Sequence, residues 1–442
     1  MTASFIQVLL FLIIGVAIII LLTAKFRVHA FFALIIACFV TGIGVSMPVT
    51  EVIETMKTGF GNIMKSLGLI IVLGTTLGVL LEHTGSTKVM AAFILKNSGE
   101  RNAALAMSIT GFIVGMPVFC DSGYIVLNGL NKSLAKRTGR SIAIMSVSLA
   151  SGLYAVHCLI PPHPGATAAA VTINVDFGKM IIYGIIIAIP AMLAGYFWAV
   201  YAGRKITETA EISEEVIDEP KEQPSVLVAF LPIIIPVVLI AIKSFLSIDQ
   251  NASNNLEKIF SAIGDPVTAL AIGVILAFFG KRNWNKQTVA ILLQEAAEKA
   301  GGILVIIGAG GAFGAILGAT KIGEHFSSAL SLGSLSILFP FLLTFVLKTA
   351  QGSSTVAIIT AASIVHPLIA ALGLDSENGR LLCVLSMGAG SMMISHANDA
   401  YFWVIAKFSG LQMRTMLKVY TVSTILMGIV SLLMIYLLSF LI

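Results

Sequence analysis

Polar side chains interrupt a very hydrophobic part of the chain at residues 395–399, whose sequence is SHAND. Apolar residues flank this stretch on both sides. Polar groups at membrane depth are costly unless they line a protein-enclosed or water-filled cavity. His396, Asn398 and Asp399 are therefore candidates for binding a polar substrate or for carrying a proton.

A similar interruption, PPHPGAT at residues 161–167, lies in the first half of the chain. Proline removes a backbone donor and breaks a helix, so a new half-helix is predicted to start near Gly165. The free N–H groups at such a start lie at the positive end of the helix dipole and form an anion site. Residues 352–355, GSST, are predicted to start a second half-helix of this kind. Their hydroxyls could cap the helix or donate to a carboxylate, and both interpretations stay open.

Two charged residues lie near these interruptions. Lys348 precedes the second half-helix and either extends to an interface or acts as the counter-charge for an anionic substrate. Asp121 lies in the stretch 115–123, GMPVFCDSG, whose Pro, Gly and polar residues are typical of the tip of a re-entrant hairpin. It either caps a helix or serves as a protonatable or hydroxyl-binding carboxylate.

Three histidines lie in or beside the interruptions, namely His157, His163 and His396. Imidazole titrates near physiological pH, so these side chains could relay protons. A lone histidine in a membrane helix is also often a hydrogen-bonded packing residue, and this alternative stays open for each of them.

The composition predicts which elements hold these residues. Of the 442 residues 57% are hydrophobic and only 11% are charged, whereas soluble domains carry about 25% charged residues. The apolar segments are long runs without period-two alternation, which indicates an all-α polytopic membrane protein rather than a barrel. The first run, 5–24, lacks a cleavage site and is predicted to be a retained helix.

The order of features divides the chain into two similar halves. Residues 1–203 form a predicted N-terminal repeat, with a hairpin at about 103–130 and a broken helix at about 141–173. The polar stretch 204–225 is predicted to be a cytoplasmic linker. Residues 226–442 form the second repeat, with a hairpin at about 333–372 and a broken helix at about 380–406. The chain would then have about 10 spans and 2 hairpins, although single-span passage remains the alternative for 103–130.

The hairpins are followed by loops of different charge. Four cations and no acid follow the first hairpin, whereas 374–380 carries two acids and one arginine. Inverted repeats predict this difference, because their equivalent loops lie on opposite faces. The amphipathic stretches 50–66 and 288–299 are predicted to lie at the interface before the spans 67–81 and 301–318. Inverted repeats with broken helices are typical of a secondary transporter.

Other classes of protein lack support in the sequence. A nucleotide-binding P-loop, metal-ligand spacing and a basic block for nucleic acid are all absent, so we expect no cofactor, no metal and no nucleic-acid partner. A membrane-embedded enzyme remains a remote alternative, because no nucleophile–base pair is recognisable. A channel is also possible in principle, but half-helices suit alternating access better.

Three motifs resemble the gluconate permease family, within the wider ion-transporter group: PPHPG at 161–165, QGSSTVA at 351–357 and SHANDAYFW at 395–403. The resemblance covers the chain from near residue 5 to its end. It implies a proton-coupled symporter of the inner membrane that takes up gluconate or a related small carboxylate, with D-serine in one branch. It also implies inverted repeats with re-entrant hairpins, an elevator-like movement and often a homodimer.

The sequence departs from the family pattern at three places. The family commonly has Glu-Val-Gly-Phe where this chain has DSGY at 121–124. It commonly has arginine where Lys348 stands, so the bidentate fork of arginine is lost. Tyr401 replaces a smaller residue. These departures leave the exact substrate open within the class of small hydroxy-carboxylates.

The function predicted is proton-coupled uptake of gluconate or a similar sugar acid, with a Na⁺-coupled carboxylate transporter or a D-serine-type transporter as the alternatives. The predicted substrate-binding residues are Asp121, Ser122, His163, Gly165, Thr167, Lys348, Gly352, Ser353, Ser354, Thr355, His396, Asn398 and Asp399. The proton-coupling candidates among them are Asp121, His163, His396 and Asp399. The predicted partners are the anionic substrate, the coupling H⁺ or Na⁺, the lipid bilayer and a second copy of the chain.

Overall fold

A computed structural model describes residues 4–99, 102–204, 206, 223–245, 255–322 and 336–442. Within these ranges every regular element is a helix. Most of the predicted linker 204–225 and the first residues of the predicted hairpin at 333–372 lie outside the described residues.

Nine α-helices of the first half are numbered α1 to α9. They are α1 (Phe5–Ile20), α2 (Ala30–Gly44), α3 (Val49–His83), α4 (Ser86–Ser98), α5 (Ala103–Gly115), α6 (Cys120–Thr138), α7 (Ile142–Leu159), α8 (Pro164–Ile173) and α9 (Phe177–Gly203). The helix α1 continues into a π turn, Leu21–Lys25.

The described part of the second half contains nine more. They are α10 (Val226–Phe245), α11 (Asn255–Ile263), α12 (Pro266–Phe278), α13 (Lys286–Ala319), α14 (Leu338–Gln351), α15 (Ser354–Val365), α16 (Glu377–Met392), α17 (Ala400–Ser409) and α18 (Met413–Leu438). A 3₁₀ turn, His366–Leu368, extends α15, and a π turn, Leu417–Thr421, lies within α18.

Seven segments of the described chain are helical, long and apolar enough to cross a membrane, and five further apolar helices are shorter. The prediction of an all-α polytopic membrane protein is therefore confirmed. The count of ten spans and the division into repeats remain predictions.

The structure corrects the prediction of separate interfacial helices. Residues 50–66 and the span after them form one continuous helix of 35 residues, α3, and residues 288–318 all lie within the 34-residue α13. A helix of this length reaches about 50 Å, which exceeds the roughly 30 Å of hydrocarbon and leaves a polar end outside it. The two helices pack closely, since a Cβ at Gly59 would lie 2.5 Å from the carbonyl oxygen of Gly311.

The helix α7 forms the centre of the molecule. All 18 of its residues are buried, as expected for a helix that is apolar on every side. In the first half α5, α6 and α9 pack against α7, and in the second half α14 and α18 pack against α16. Contacts of α8 with α15 and of α6 with α17 join the two halves.

Each predicted hairpin contains a short helix in its described first part. The helices α5 and α14 have 13 and 14 residues, so each reaches about 20 Å and is too short to cross the hydrocarbon core alone. Four residues, 116–119, separate α5 from α6, and two residues, 352–353, separate α14 from α15. The helix α6 extends to Thr138, beyond the predicted end of the hairpin near residue 130.

Candidate functional site

The break in the second broken helix is held by Asp399. The helix α16 ends at Met392, and α17 begins at Ala400 with Asp399 as its N-cap. Oδ1 of Asp399 accepts a hydrogen bond of 2.9 Å from the backbone N–H of Tyr401, which satisfies one free donor of the new helix. Asp399 is therefore a helix cap in the structure.

The second carboxylate oxygen of Asp399 binds a buried cation. Nζ of Lys348, on α14, lies 2.9 Å from Oδ2 of Asp399, and the hydroxyl of Ser395 donates to the same oxygen at 2.5 Å. Lys348 is completely enclosed by protein and Asp399 is 5% exposed. Lys348 therefore does not extend to an interface. Its charge is balanced within the protein, and loss of one partner from such a buried pair costs about 3–5 kcal/mol.

Asn398 and His396 contact the end of α14. The side-chain amide of Asn398 donates to the carbonyl oxygens of Thr349 (2.8 Å) and Ala350 (3.2 Å). Nε2 of His396 lies 3.2 Å from the same Thr349 oxygen. These carbonyls lie in the last turn of α14, which has no intrahelical donors for them. Both side chains thus join the hairpin to the break in the neighbouring helix.

Gly352 permits this contact. Its φ of +78° is in the left-handed region, and a Cβ at this position would collide with the backbone carbonyl of Asn398. Glycine is therefore required both for the turn and for the close approach of the two chains.

The first half contains a matching contact. Nε2 of His163 donates to the carbonyl oxygen of Gly115, the last residue of α5, at 2.5 Å. His163 lies in the break between α7 and α8, where Pro164 occupies the first helical position. It is 3% exposed. In both halves, then, a side chain from the break hydrogen-bonds to a backbone carbonyl oxygen in the last turn of the short hairpin helix.

His157 lies between the two halves. Its ring centroid is 4.9 Å from that of His163, and its Nε2 lies 3.3 Å from the hydroxyl of Thr355 on α15. Its Nδ1 is buried and has no hydrogen-bond partner among the described residues. The sequence indicates that His157 could relay protons, but His157 is not one of the predicted site residues.

The starts of the two half-helices α8 and α15 lie side by side. A Cβ at Gly165 would lie 3.2 Å from Cα of Thr355. The hydroxyl of Ser353 accepts from the backbone N–H of Val356 at 3.3 Å, so this residue caps α15. Ser354 is buried. Thr167 is fully buried in the first turn of α8, and its hydroxyl has no partner in the described structure.

Asp121 and Ser122 lie in the first turn of α6, at the first hairpin. Asp121 is exposed and accepts a hydrogen bond of 3.0 Å from the thiol of Cys120. It is close enough to His157 for a direct electrostatic interaction. Ser122 lies beside the carboxyl group of Glu82 at the end of α3. The structure thus brings together eleven of the thirteen predicted site residues around the two breaks and α15, and leaves these two at the first hairpin.

Sequence reasoning missed a cluster of buried tyrosines. The rings of Tyr154, Tyr401 and Tyr420 pack together, with centroids 5.8–6.5 Å apart. The hydroxyl of Tyr154 donates to the carbonyl oxygen of Ser391 at 3.1 Å, whereas those of Tyr401 and Tyr420 have no partner in the described chain. Only Tyr401 lies in one of the three motifs, where it departs from the family pattern. Tyr154 and Tyr420 look like ordinary aromatic residues of apolar helices.

Comparison with known proteins gives concordant results. A model of the GntP family permeases matches residues 7–441. The gluconate permease of Pseudomonas aeruginosa is 35% identical over 430 residues, which cover 95% of each chain. The D-serine transporter DsdX of Escherichia coli K12 is 30% identical over 98% of each chain. Among solved structures, the YdaH transporter of Alcanivorax borkumensis is similar in fold, with a TM-score of 0.65, 17% identity and 89% of each chain covered.

Proposed function

This chain belongs to the GntP family of permeases, and we propose that it carries a small hydroxy-carboxylate into the cell together with a proton. Membership of the family makes it a multi-pass transporter of the plasma membrane and not an enzyme. The substrate, the coupling ion and the residues that bind them are our proposals.

The observation that carries the proposal is the buried ion pair of Lys348 and Asp399. Protonation of Asp399 would leave an enclosed lysine without a counter-charge, which is costly. A substrate carboxylate that binds near Lys348 restores the balance. One proton and one anion then enter together, and the net charge of the site does not change.

Several ionisable groups lie near Asp399. They are Lys348 on α14, Tyr420 on α18, Tyr154 and His157 on α7, and Cys120 on α6. Lys348 is the positively charged residue among them, and its Nζ lies 2.9 Å from the carboxylate of Asp399. We therefore assign the coupling proton to Asp399 rather than to His163 or His396, whose ring nitrogens hold the hairpin ends.

The starts of α8 and α15 form the proposed site for the substrate carboxylate. Backbone N–H groups at a helix start attract anions, and two such starts are adjacent here. Thr167 supports the assignment, because its buried hydroxyl is unpaired in the described structure and is free to donate. Cys158 lies near both Lys348 and the hydroxyl of Ser354, so the lysine is close to the start of α15.

Asp121 and Ser122 complete the proposal at the first hairpin. Asp121 is exposed at a helix start and can accept hydrogen bonds from the hydroxyl groups of a sugar acid. Asp121 belongs to the first hairpin, whereas Lys348 and Asp399 belong to the second half, so both halves of the chain contribute to recognition of the substrate.

We also propose that the two halves are inverted repeats and that transport uses an elevator-like movement. The parallel contacts of His163 with Gly115 and of Asn398 with Thr349 support this proposal. Broken helices that meet near mid-membrane are typical of such transporters. Assembly as a homodimer remains a prediction.

A D-serine-type substrate is the second candidate, because a relative of that name covers 98% of this chain. Coupling to Na⁺ instead of H⁺ is the alternative for the ion. The test is uptake of labelled gluconate and D-serine into proteoliposomes. We expect gluconate uptake to depend on an inward proton gradient and to stop on addition of an uncoupler. Uptake that ignores the proton gradient but stops when choline replaces Na⁺ would overturn the coupling proposal.

A further inference from the structure

A row of buried polar side chains follows one face of α6. Tyr124, Asn128 and Asn131 are spaced by four and three residues, so they lie on the same face of the helix. Tyr124 and Asn131 are completely buried, and Asn128 is 7% exposed. Together they extend about 10 Å along the helix axis.

Each of these side chains keeps an unpaired polar atom. Asn128 donates to the carbonyl oxygen of Phe408 on α17 at 3.0 Å, and Asn131 donates to the hydroxyl of Ser146 on α7 at 3.2 Å. The amide oxygens of both asparagines and the hydroxyl of Tyr124 have no partner among the described residues. Burial of such a group without a partner costs about 1–3 kcal/mol, so bound water is the expected partner.

The row begins at the proposed coupling site. Tyr401 is two residues from Asp399, and its ring packs edge-to-face on Tyr124 with centroids 6.2 Å apart. The hydroxyl of Tyr401 is buried and has no partner among the described residues. Tyr124 in turn lies near the hydroxyls of Ser146 on α7 and Ser409 on α17. Polar atoms therefore lie along the contacts of α6 with α7 and α17 between Tyr401, two residues from Asp399, and Asn131.

The other end of the row approaches the end of α6. This end carries a group of cations, which the positive-inside rule assigns to the cytoplasmic side. The cations are Lys132, Lys136, Arg137 and Arg140. The row thus leads from the proposed coupling carboxylate towards the cytoplasm.

We infer that this row holds a file of water molecules through which the coupling proton leaves Asp399 for the cytoplasm. The inference rests on the proposed function. The proton passes from the carboxyl group to the first water, and an equivalent proton leaves the last water at the cytoplasmic end. Asp399 returns to the carboxylate form and pairs again with Lys348, so no other reactant is required.

The test separates proton release from the movement of substrate. Net uptake driven by a proton gradient requires release of a proton in each cycle, whereas exchange of labelled for unlabelled substrate across the membrane does not. We expect Asn131→Leu, which keeps the branched shape but removes the polar atoms that would hold water, to slow net uptake by about tenfold or more. Exchange should persist. Asn131→Ser, which keeps a polar group and leaves room for water, should retain net uptake.

Asn128→Leu provides a second variant in case Asn131→Leu does not fold. Thr87→Val is the control, because Thr87 is also buried and unpaired in the described structure but lies on α4. Equal loss of uptake and exchange in a stably folded leucine variant would overturn the inference, as would normal net uptake. Wild-type uptake that ignores the proton gradient would instead refute the proposed function itself.

Discussion

The imidazole of His163 donates to the carbonyl oxygen of Gly115, and this hydrogen bond joins the break in the first broken helix to the end of the hairpin helix α5. The second half contains the same relationship, with Asn398 and His396 bound to the end of α14. Each hairpin is therefore fixed to its broken helix by side chains that hydrogen-bond to backbone carbonyls. The two breaks and the hairpin ends form one connected polar region inside an apolar molecule.

Replacement of His163 by alanine should destabilise the protein more than replacement of His396. His163→Ala leaves the buried carbonyl of Gly115 without its side-chain donor and should destabilise the protein by about 1–3 kcal/mol. His396→Ala should cost less, because Asn398 still donates to the carbonyl oxygen of Thr349. Thermal unfolding of the purified variants in detergent measures the difference. Equal stabilities would contradict the structural role of His163.

Removal of one partner of the buried ion pair should destabilise the protein strongly. Lys348→Met alone leaves an unpaired buried carboxylate and should cost about 3–5 kcal/mol. The double variant with Asp399→Asn, which keeps an oxygen to cap α17, should recover most of the stability, because no buried charge remains, yet it should not transport. Lys57→Met is the control: its partner Glu54 is exposed, so the change should cost at most about 1 kcal/mol.

Unfolding temperatures and uptake rates of the same preparations test this prediction. A double variant that is less stable than the single variant would show that the pair is not an isolated unit. Transport by the double variant would contradict its role in coupling.

Gly352→Ala should abolish transport. Alanine at position 352 must adopt a positive φ, and its Cβ would also displace the backbone of Asn398 from the end of α14. Gly373→Ala is a matched control, since Gly373 also has a positive φ, +68°, but open space around it. The control should show only the conformational cost of about 1–2 kcal/mol. Similar uptake by both variants would contradict the contact of Gly352 with Asn398.

Thr167→Val tests the proposed carboxylate site. Valine has nearly the same shape and removes a hydroxyl that has no partner in the described chain, so the unfolding temperature should not fall. The KM for gluconate should rise about tenfold, the effect of losing one hydrogen bond to a charged group. Thr360→Val is the control, because Thr360 is also buried and unpaired in the described part of α15. An unchanged KM for Thr167→Val would remove this residue from the site.

The sequence predicted the helix breaks well because prolines and glycines mark them directly. The helix α8 begins at Pro164, one residue before the predicted start near Gly165, and α15 begins at Ser354, within the predicted stretch 352–355. The polar ends of α3 and α13 were wrongly separated from their spans, because amphipathic spacing does not distinguish an interfacial helix from the protruding end of a long one. The length of each helix becomes clear only from its packing.

The partners of the site residues could not be predicted. Lys348 and Asp399 are 51 residues apart in sequence, and no pattern indicates that they bind each other rather than a substrate. The same limit applies to Tyr154 and Tyr420, which the fold brings to Asp399 from separate helices. Motifs identify which residues are polar in an apolar context, whereas the three-dimensional arrangement determines which of them are already paired.

The most direct measurement is the pH inside proteoliposomes during substrate uptake. Liposomes that contain a pH-sensitive dye should acidify when gluconate is added outside to the wild-type protein, and an uncoupler should abolish the signal. Asp399→Asn, which cannot carry the proton, should give no acidification. Uptake of labelled gluconate by the wild-type protein without acidification, or equal acidification by Asp399→Asn, would contradict the proposed coupling through Asp399.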